Sequence, residues 1–269
     1  QSATEVGMRF QVQPALSLDF INAERVQWVV ALAPAVGLND LVIAAPQTRF
    51  LAVGVQGLAA APNLSVISAM ENGDDQQGFM AGYLAAVMTP DWRVGVIGIA
   101  DSEAGQLARR SFLTGAKFFC GFCSPTYPPY HEYPLYVQVN GAATAAEWQS
   151  AADLLLQKNV ETIFIVPGAG DENLMRYLAS SGVGMIGTAP PPDDLRDAWV
   201  ATLGYHPLEA FHNFWPEFVA GSAGGAISVP LSLSDIHYGR LSPGQVVLVE
   251  KMLAEVESGY IQLIGPNIP

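Results

Sequence analysis

The chain has 269 residues, half of them hydrophobic, with 25 acidic side chains against 12 basic ones and a formal net charge of −13. Such an acidic balance, with no basic stripe, excludes nucleic acid and anionic lipid surfaces as partners. No uninterrupted apolar run reaches the roughly 18 residues of a membrane span, and the length is ample for a sizeable core in one large domain or two lobes.

In chain order, the sequence opens at Gln1 without a signal-peptide pattern, as a processed mature protein or a trimmed chain would. The stretch Val26 to Ala45 is broken by Pro34, Gly37, Asn39 and Asp40. It reads as a strand over 26–33, a turn and a helix over 38–46. Strands follow at 49–54 and 64–69, then a helix at 75–88 begun by Asp74-Asp75-Gln76-Gln77-Gly78. A strand at 93–100 passes through Asp101-Ser102-Glu103 into a helix at 103–118. After a Pro/Tyr-rich loop at 124–134, strands are expected at 133–139, 162–166, 184–188 and 199–205. Helices are expected at 144–157, 171–181, 207–221 and 243–258.

Several of these strands are continuous apolar runs, as parallel strands covered on both faces should be. Their alternation with helices argues a doubly wound parallel α/β architecture. No glycine-serine linker marks a sequential boundary, so two lobes would require the chain to cross between them more than once. Crossings are expected at 70–75, 202–207 and 233–237. This gives a first lobe of 1–71 plus 206–236, a second of 72–205, and a C-terminal segment, 237–269, that closes the lobes.

Acids where parallel strands end and helices begin stand where open α/β sheets bind ligands, which singles out Asp75 and Asp101. Both equally suit a helix cap or a favourable contact with a helix N-terminus. Gly168-Ala-Gly170 follows an apolar strand. It lacks the third glycine and the lysine of a phosphate loop, and Asp171 would repel phosphate, so it reads as close backbone approach to a neutral ligand. Tyr205 and His206 end a strand before Pro207, a good first-turn residue; they suit ring stacking and hydroxyl contacts or hinge packing alike. His212 and Trp215, three apart on the next helix, read as core, and Trp28, Trp92, Trp148 and Trp199 as core or lobe-surface residues.

Cys120 and Cys123 follow a helix, with only His131 near enough to add a metal ligand. A local disulfide or two packed thiols fits better than zinc or a redox site, and export would favour the disulfide. No dinucleotide fingerprint, nucleophile elbow or His-Glu-x-x-His run is present, so no cofactor, metal or catalytic residue is expected.

Five landmarks in order carry a resemblance: Gln77-Gly-Phe-Met-Ala-Gly-Tyr-Leu-Ala-Ala-Val-Met88, Arg93-Val-Gly-Val-Ile-Gly98, Ser111-Phe-Leu-Thr-Gly115, Val166-Pro-Gly-Ala-Gly170 and Leu241-Ser-Pro-Gly244. They resemble the basic membrane protein (BMP) family of substrate-binding lipoproteins, the group that includes the purine nucleoside receptor. The resemblance runs from about Arg25 to the end and rests on order and spacing. It implies a type I periplasmic-binding-protein fold: two Rossmann-like lobes with parallel sheets, joined by a multi-strand hinge and closing on a ligand. It also implies an extracytoplasmic location at the cell envelope, an N-terminal lipid anchor as the membrane attachment, and an ABC permease as partner. Asp75 falls at a base-contacting asparagine of the family, Asp101 at a base-contacting aspartate, and Gly168 at a glycine that lies against the sugar.

Three features depart from the family. The strand whose aspartate holds ribose hydroxyls reads Ile186-Gly-Thr-Ala-Pro190 here, unless Asp193 or Asp194 reaches back. A lysine after the hinge strand is replaced by Tyr205 or His206, and the usual first strand and helix are not recognisable before Met8-Arg-Phe-Gln-Val-Gln13. The expected function is non-enzymatic capture of a small neutral polar ligand, nucleoside or nucleobase first, for an ABC importer. The alternatives are a ligand sensor for a membrane signalling partner and, further off, a nucleoside-processing hydrolase.

Overall fold

A computed structural model describes residues 7, 9–32, 35–55, 57–69 and 73–263. In chain order its elements begin with α1 (Leu18–Ala23), β1 (Trp28–Leu32), α2 (Leu38–Ala44), β2 (Arg49–Val53), β3 (Leu64–Ala69), α3 (Gly73–Met88), β4 (Val94–Ile99) and α4 (Glu103–Cys120). They continue with β5 (Leu135–Val139), α5 (Ala145–Leu156), β6 (Thr162–Ile165), α6 (Glu172–Ser180), β7 (Gly184–Gly187) and a 3-10 turn (Asp193–Ala198). The last are β8 (Trp199–Tyr205), α7 (Pro207–Ala220), β9 (Ala226–Val229), β10 (Leu231–Ser234) and α8 (Pro243–Glu257).

The described residues divide into two compact units, one from 1–68 and 207–229, the other from 69–206 and 230–269. Residues 230–236, grouped with the first lobe on sequence grounds, pack in the second unit because β10 pairs antiparallel with β8. The crossing expected at Met70–Asp75 lies partly outside the described residues.

The first unit holds a four-stranded sheet in the order β1-β2-β3-β9, with β1, β2 and β3 parallel. Its core gathers Ile21, Leu38, Val42, Phe50, Leu64 and Val66. Asn63 ties the end of α2 to this sheet by donating its amide to the carbonyls of Val42 (3.0 Å), Ala45 (3.2 Å) and Thr48 (3.1 Å). Helix α1 has no counterpart in the sequence reading, since six residues show too little periodicity; Ser17 caps it by accepting from the Phe20 N–H at 3.3 Å. Trp215 packs on Phe211 and Phe218 as expected, but His212 is exposed, on the outer side of α7.

The second unit holds a six-stranded sheet in the order β10-β8-β7-β6-β4-β5, parallel except for β10. Every residue of β4 but the last is buried, and so is every residue of β8 but the last, which requires cover on both faces. Two strands escape the sequence reading, β9 and β10, each four residues long and separated by Pro230.

Helix α3 is buried on nearly all sides and contains no basic residue, the pattern of a helix enclosed by its own unit. Three glycines let it lie backbone to backbone on α4. A Cβ at Gly82 would strike the Phe112 carbonyl, one at Gly115 the Phe79 carbonyl, and one at Gly78 the Ala108 carbonyl. Around this seam, Gln77 donates to the Leu203 carbonyl of β8 at 2.7 Å. Gln245, part of the capping box of α8, donates to the Val87 carbonyl at 2.9 Å.

Substituting two of the three seam glycines tests this packing. Gly82→Ala or Gly115→Ala should each cost about 3 kcal/mol of unfolding free energy, because a backbone carbonyl cannot yield as a side chain can. Gly244→Ala, in the first turn of α8 with no atom within 4 Å of the added carbon, should be neutral or stabilising by up to about 1 kcal/mol. Urea unfolding of the three variants reads the contrast; equal stabilities would contradict it.

Candidate functional site

In the six-stranded sheet the chain goes from β4 to β5 on one side and then returns to place β6 on the other side of β4. Strand order therefore reverses between β4 and β6, and ligands of open α/β sheets bind outside the carboxyl ends of strands at such a reversal. Strand β4 exits there into Ala100-Asp101-Ser102, and β6 into Val166-Pro-Gly-Ala-Gly-Asp171.

Both exits are held in place by local chemistry. Ser102 caps α4 by accepting from the Gly105 N–H at 3.2 Å, and Asp171 caps α6 by accepting from the Leu174 N–H at 3.0 Å. That bond, with a second from Asn173, holds the Asp171 carboxyl below the usual carboxylate range. Asp101 is exposed, and its Oδ1 accepts from the Gly141 N–H at 2.8 Å, tying the exit of β4 to that of β5. Gly168 has φ +79°, a left-handed backbone that favours glycine, and a Cβ there would lie 3.3 Å from Ile99 Cδ1. Ile99 thus stands two residues before Asp101 in sequence and next to Gly168 in space.

A cavity of about 300 Å³ opens between the exit loops of β6 and β7. Val166, Gly168, Met175, Thr188, Pro190 and Trp199 contribute to its lining. Trp199, read from sequence as core or surface, is 3% exposed and still contributes to this wall. Its Nε1 donates to Thr202 Oγ1 at 3.0 Å, and its ring lies so close over Gly187 that any Cβ there would collide with it. Thr188 stands in the segment where the family resemblance sought a carboxylate. Asp193 and Asp194 do not replace it: Asp193 pairs with Arg196 at 3.0 Å and Asp194 with Arg176 at 2.8 Å, both at the surface.

Asp75 stands apart from Asp101 and Gly168. It is 3% exposed, and its Oδ1 accepts from Ser111 Oγ inside the α3–α4 seam. Ser111 is eight residues into α4, about 12 Å along the helix at 1.5 Å per residue. Phe79, Thr114 and Leu263 complete a void of only about 10 Å³ around the pair. Burial raises the Asp75 carboxyl above its usual range, opposed by the Ser111 hydrogen bond and the charge of Arg110.

Tyr205 ends β8 and donates its hydroxyl to the Gly73 carbonyl at 2.7 Å, joining the last residue of the strand to the first turn of α3. Burial raises its phenol well above its ordinary value, and the Asp74 and Glu257 carboxylates add to this, so the hydroxyl stays protonated as that donor. His206, the next residue, is exposed. Cys120 and Cys123 are joined in a disulfide at the end of α4. Among the described residues, no three His, Cys, Asp or Glu side chains are grouped to hold a metal, and no helix is long and apolar enough to cross a membrane.

No protein-family model matches the sequence, and no curated protein matches it. Solved structures do match in shape. An ABC transporter system solute-binding protein from Conexibacter woesei is 16% identical with a TM-score of 0.70, covering 97% of this chain and 89% of that one. An ABC transporter system solute-binding protein from Aeropyrum pernix is 15% identical with a TM-score of 0.67, covering 99% and 87%. A transcriptional activator of the comK gene from Bacillus halodurans is 18% identical with a TM-score of 0.61, covering 91% and 82%.

The fold is that of the type I periplasmic-binding proteins.

In this fold the cavity-lining side chains Met175, Thr188 and Trp199 have no motif to announce them. The signal that points to Thr188 is positional, since it is the first residue after a buried apolar strand, as Asp101 is two residues after one. Met175 belongs to a helix and Trp199 begins a strand, so only the packed structure brings them to the cavity.

The Asp75–Ser111 pair generates two expectations for urea unfolding. Ser111→Ala should cost about 1–3 kcal/mol, because it strips a buried carboxylate of its donor. Asp75→Asn keeps an acceptor for Ser111 and removes the buried charge. Since the native carboxyl binds its proton more tightly than the unfolded one, the parent loses stability as pH rises from the usual Asp range through the raised value. Asp75→Asn should therefore be at least as stable as the parent at pH 7, with the difference fading below pH 4. A variant destabilised at pH 7 would contradict this.

Proposed function

We propose that this chain is an extracytoplasmic solute-binding protein of the BMP family that captures a small neutral polar ligand, nucleoside or nucleobase first, for an ABC importer. One observation carries the reading. In a type I periplasmic-binding fold, Ile99, Asp101 and Gly168 stand at the two strand exits where strand order reverses, beside a cavity of about 300 Å³. Two neighbours of the same fold are solute-binding proteins of ABC transporter systems, in agreement with it. No catalytic residue enters the reading, and a lipid anchor supplies the membrane attachment.

In this role Asp101 accepts hydrogen bonds from ligand N–H groups with the carboxylate oxygen that Gly141 leaves open. Gly168 lets the backbone approach the ligand, and Tyr205 and His206 stand beside one of the three points where the chain passes between its units. Those passages act as the hinge. A ligand shifts the hinge equilibrium only by its differential affinity for the two states, and the importer reads the liganded state. A ligand-sensing output is the second reading, favoured by the comK activator of the same fold. The net charge of −13 argues against direct DNA binding here, so a sensor would signal through a protein.

Thermal unfolding against nucleosides, free bases, sugars and amino acids tests ligand capture. A bound ligand adds RT ln(1 + [L]/Kd), about 2.7 kcal/mol at a hundred times Kd. Asp101→Asn keeps the acceptor for Gly141 but drops the charge. It should leave the melting temperature of the free protein unchanged and weaken ligand binding about tenfold, the scale of one charge-assisted hydrogen bond. Unchanged affinity would remove Asp101 from the site, and a silent panel would remove the solute-binding reading.

A further inference from the structure

The cavity beside Gly168 has a chemistry of its own. Its wall is Ile165, Val166, Pro167, Met175, Pro190 and Trp199, with glycines and alanines between them. Only two side chains in it carry oxygen, Thr188 and Glu172. Glu172 has a side chain 63% exposed and gives Oε2 to Arg176 at 2.9 Å, so its charge is spent at the rim and not offered inward. The volume of about 300 Å³ is that of roughly ten waters and stands at the lower end for small-molecule sites.

We infer that this cavity receives an uncharged planar ring, and that the protein takes a free heterocyclic base in preference to its nucleoside. The inference rests on the solute-binding reading above and narrows it. Three features favour a ring. The Trp199 indole, 3% exposed, is fixed by its bond to Thr202 and its seat on Gly187, so the small part of its ring that reaches the cavity is rigid before the ligand arrives. Aromatic rings pack offset or edge-on against such a surface. The Met175 thioether is a polarizable partner for a ring edge, and the Thr188 hydroxyl donates or accepts for one ring nitrogen or carbonyl.

The same wall rejects a sugar. A ribose brings several hydroxyls, and the side chains of the cavity offer one hydroxyl and one carboxylate already paired with an arginine, leaving the rest to compete for the backbone groups of the two exit loops. A hydroxyl buried without a partner loses its bonds to water and regains nothing. One such loss weakens binding by about tenfold, and a nucleoside seated here suffers at least one.

Isothermal titration of the whole chain with adenine, uracil, adenosine, uridine and D-ribose tests the preference. The expected result is measurable binding of a base, at least tenfold weaker binding of its nucleoside, and no heat with ribose. Met175→Glu should weaken base binding at least tenfold, whereas Glu172→Gln should change it less than twofold. Should Met175→Glu fail to fold, Thr188→Asp places a carboxylate in the same wall from a half-buried loop position. It should weaken the base and improve the nucleoside. A nucleoside bound as tightly as its base, or heat from ribose alone, would overturn the ring preference and leave solute capture standing. Base binding indifferent to the wall variants would overturn the placement in this cavity. Silence from these probes, with a thermal shift from a sugar or amino acid, would also overturn the inference alone. Silence throughout would overturn it together with the solute-binding reading.

Discussion

The closest approach in the second unit is that of α3 and α4, where Gly78, Gly82 and Gly115 let two helix backbones meet without side chains between them. Contacts this tight fix both the separation and the axial register of the helices, because a shift of one residue would bring a Cβ against a carbonyl. The register matters beyond stability. α4 begins at Glu103, immediately after Asp101 and its cap Ser102, so the seam anchors the helix from which the exit of β4 emerges. α3 in turn is pinned to β8 through Gln77 and Tyr205. The positions of the strand exits are thus set by a rigid pair of helices and not by the loops themselves. Asp75 belongs to this arrangement: a carboxylate inside a helix seam is tolerable only with a donor opposite it, and Ser111 is that donor.

Elements long enough to show a period are legible in the sequence, and their existence and type agree with the structure. Strands β3 and β8 fall at their expected bounds, and the ends of the other paired elements shift by a few residues at most. The failures share one physical cause. α1, β9 and β10 are four to six residues long, too short for a period of 3.6 or 2 to repeat, and they lack the continuous buried run that makes the equally short β6 and β7 legible. Their structure comes from neighbours, as β10 shows by taking its place from pairing with β8. The same strand explains why residues 230–236 join the second unit: proximity in sequence to β9 says nothing about which sheet edge a segment completes.

The placement of the candidate residues is legible where backbone geometry dictates it and obscure where packing does. Asp101 and Gly168 lie at strand exits, and exits follow from the strand pattern. Asp75 also follows a strand in sequence, yet its side chain belongs to a helix seam, because which way a first-turn acid points depends on the partner helix. Tyr205 likewise spends its hydroxyl on the Gly73 carbonyl. Trp199 follows its sequence reading and does more. A tryptophan in an apolar strand reads as core, and at 3% exposure it is core, but a core ring beside a glycine is also the wall of whatever space that glycine leaves.

Under the proposed solute-binding reading, charge and cavity chemistry disfavour the same kind of ligand by independent routes. A net charge of −13 surrounds the molecule with a potential that slows anions on approach. The one helix start beside the cavity that would suit a phosphate is occupied by its own acid, since the Asp171 carboxylate takes the N–H of Leu174. Inside, the apolar wall makes a buried charge costly for want of a counter-ion. A phosphorylated ligand is therefore disfavoured at long range, at the rim and in the cavity. Reversing the surface charge alone would not convert this site to anion binding; the Asp171 cap would have to be released as well, which would free α6 from the bond that fixes its start.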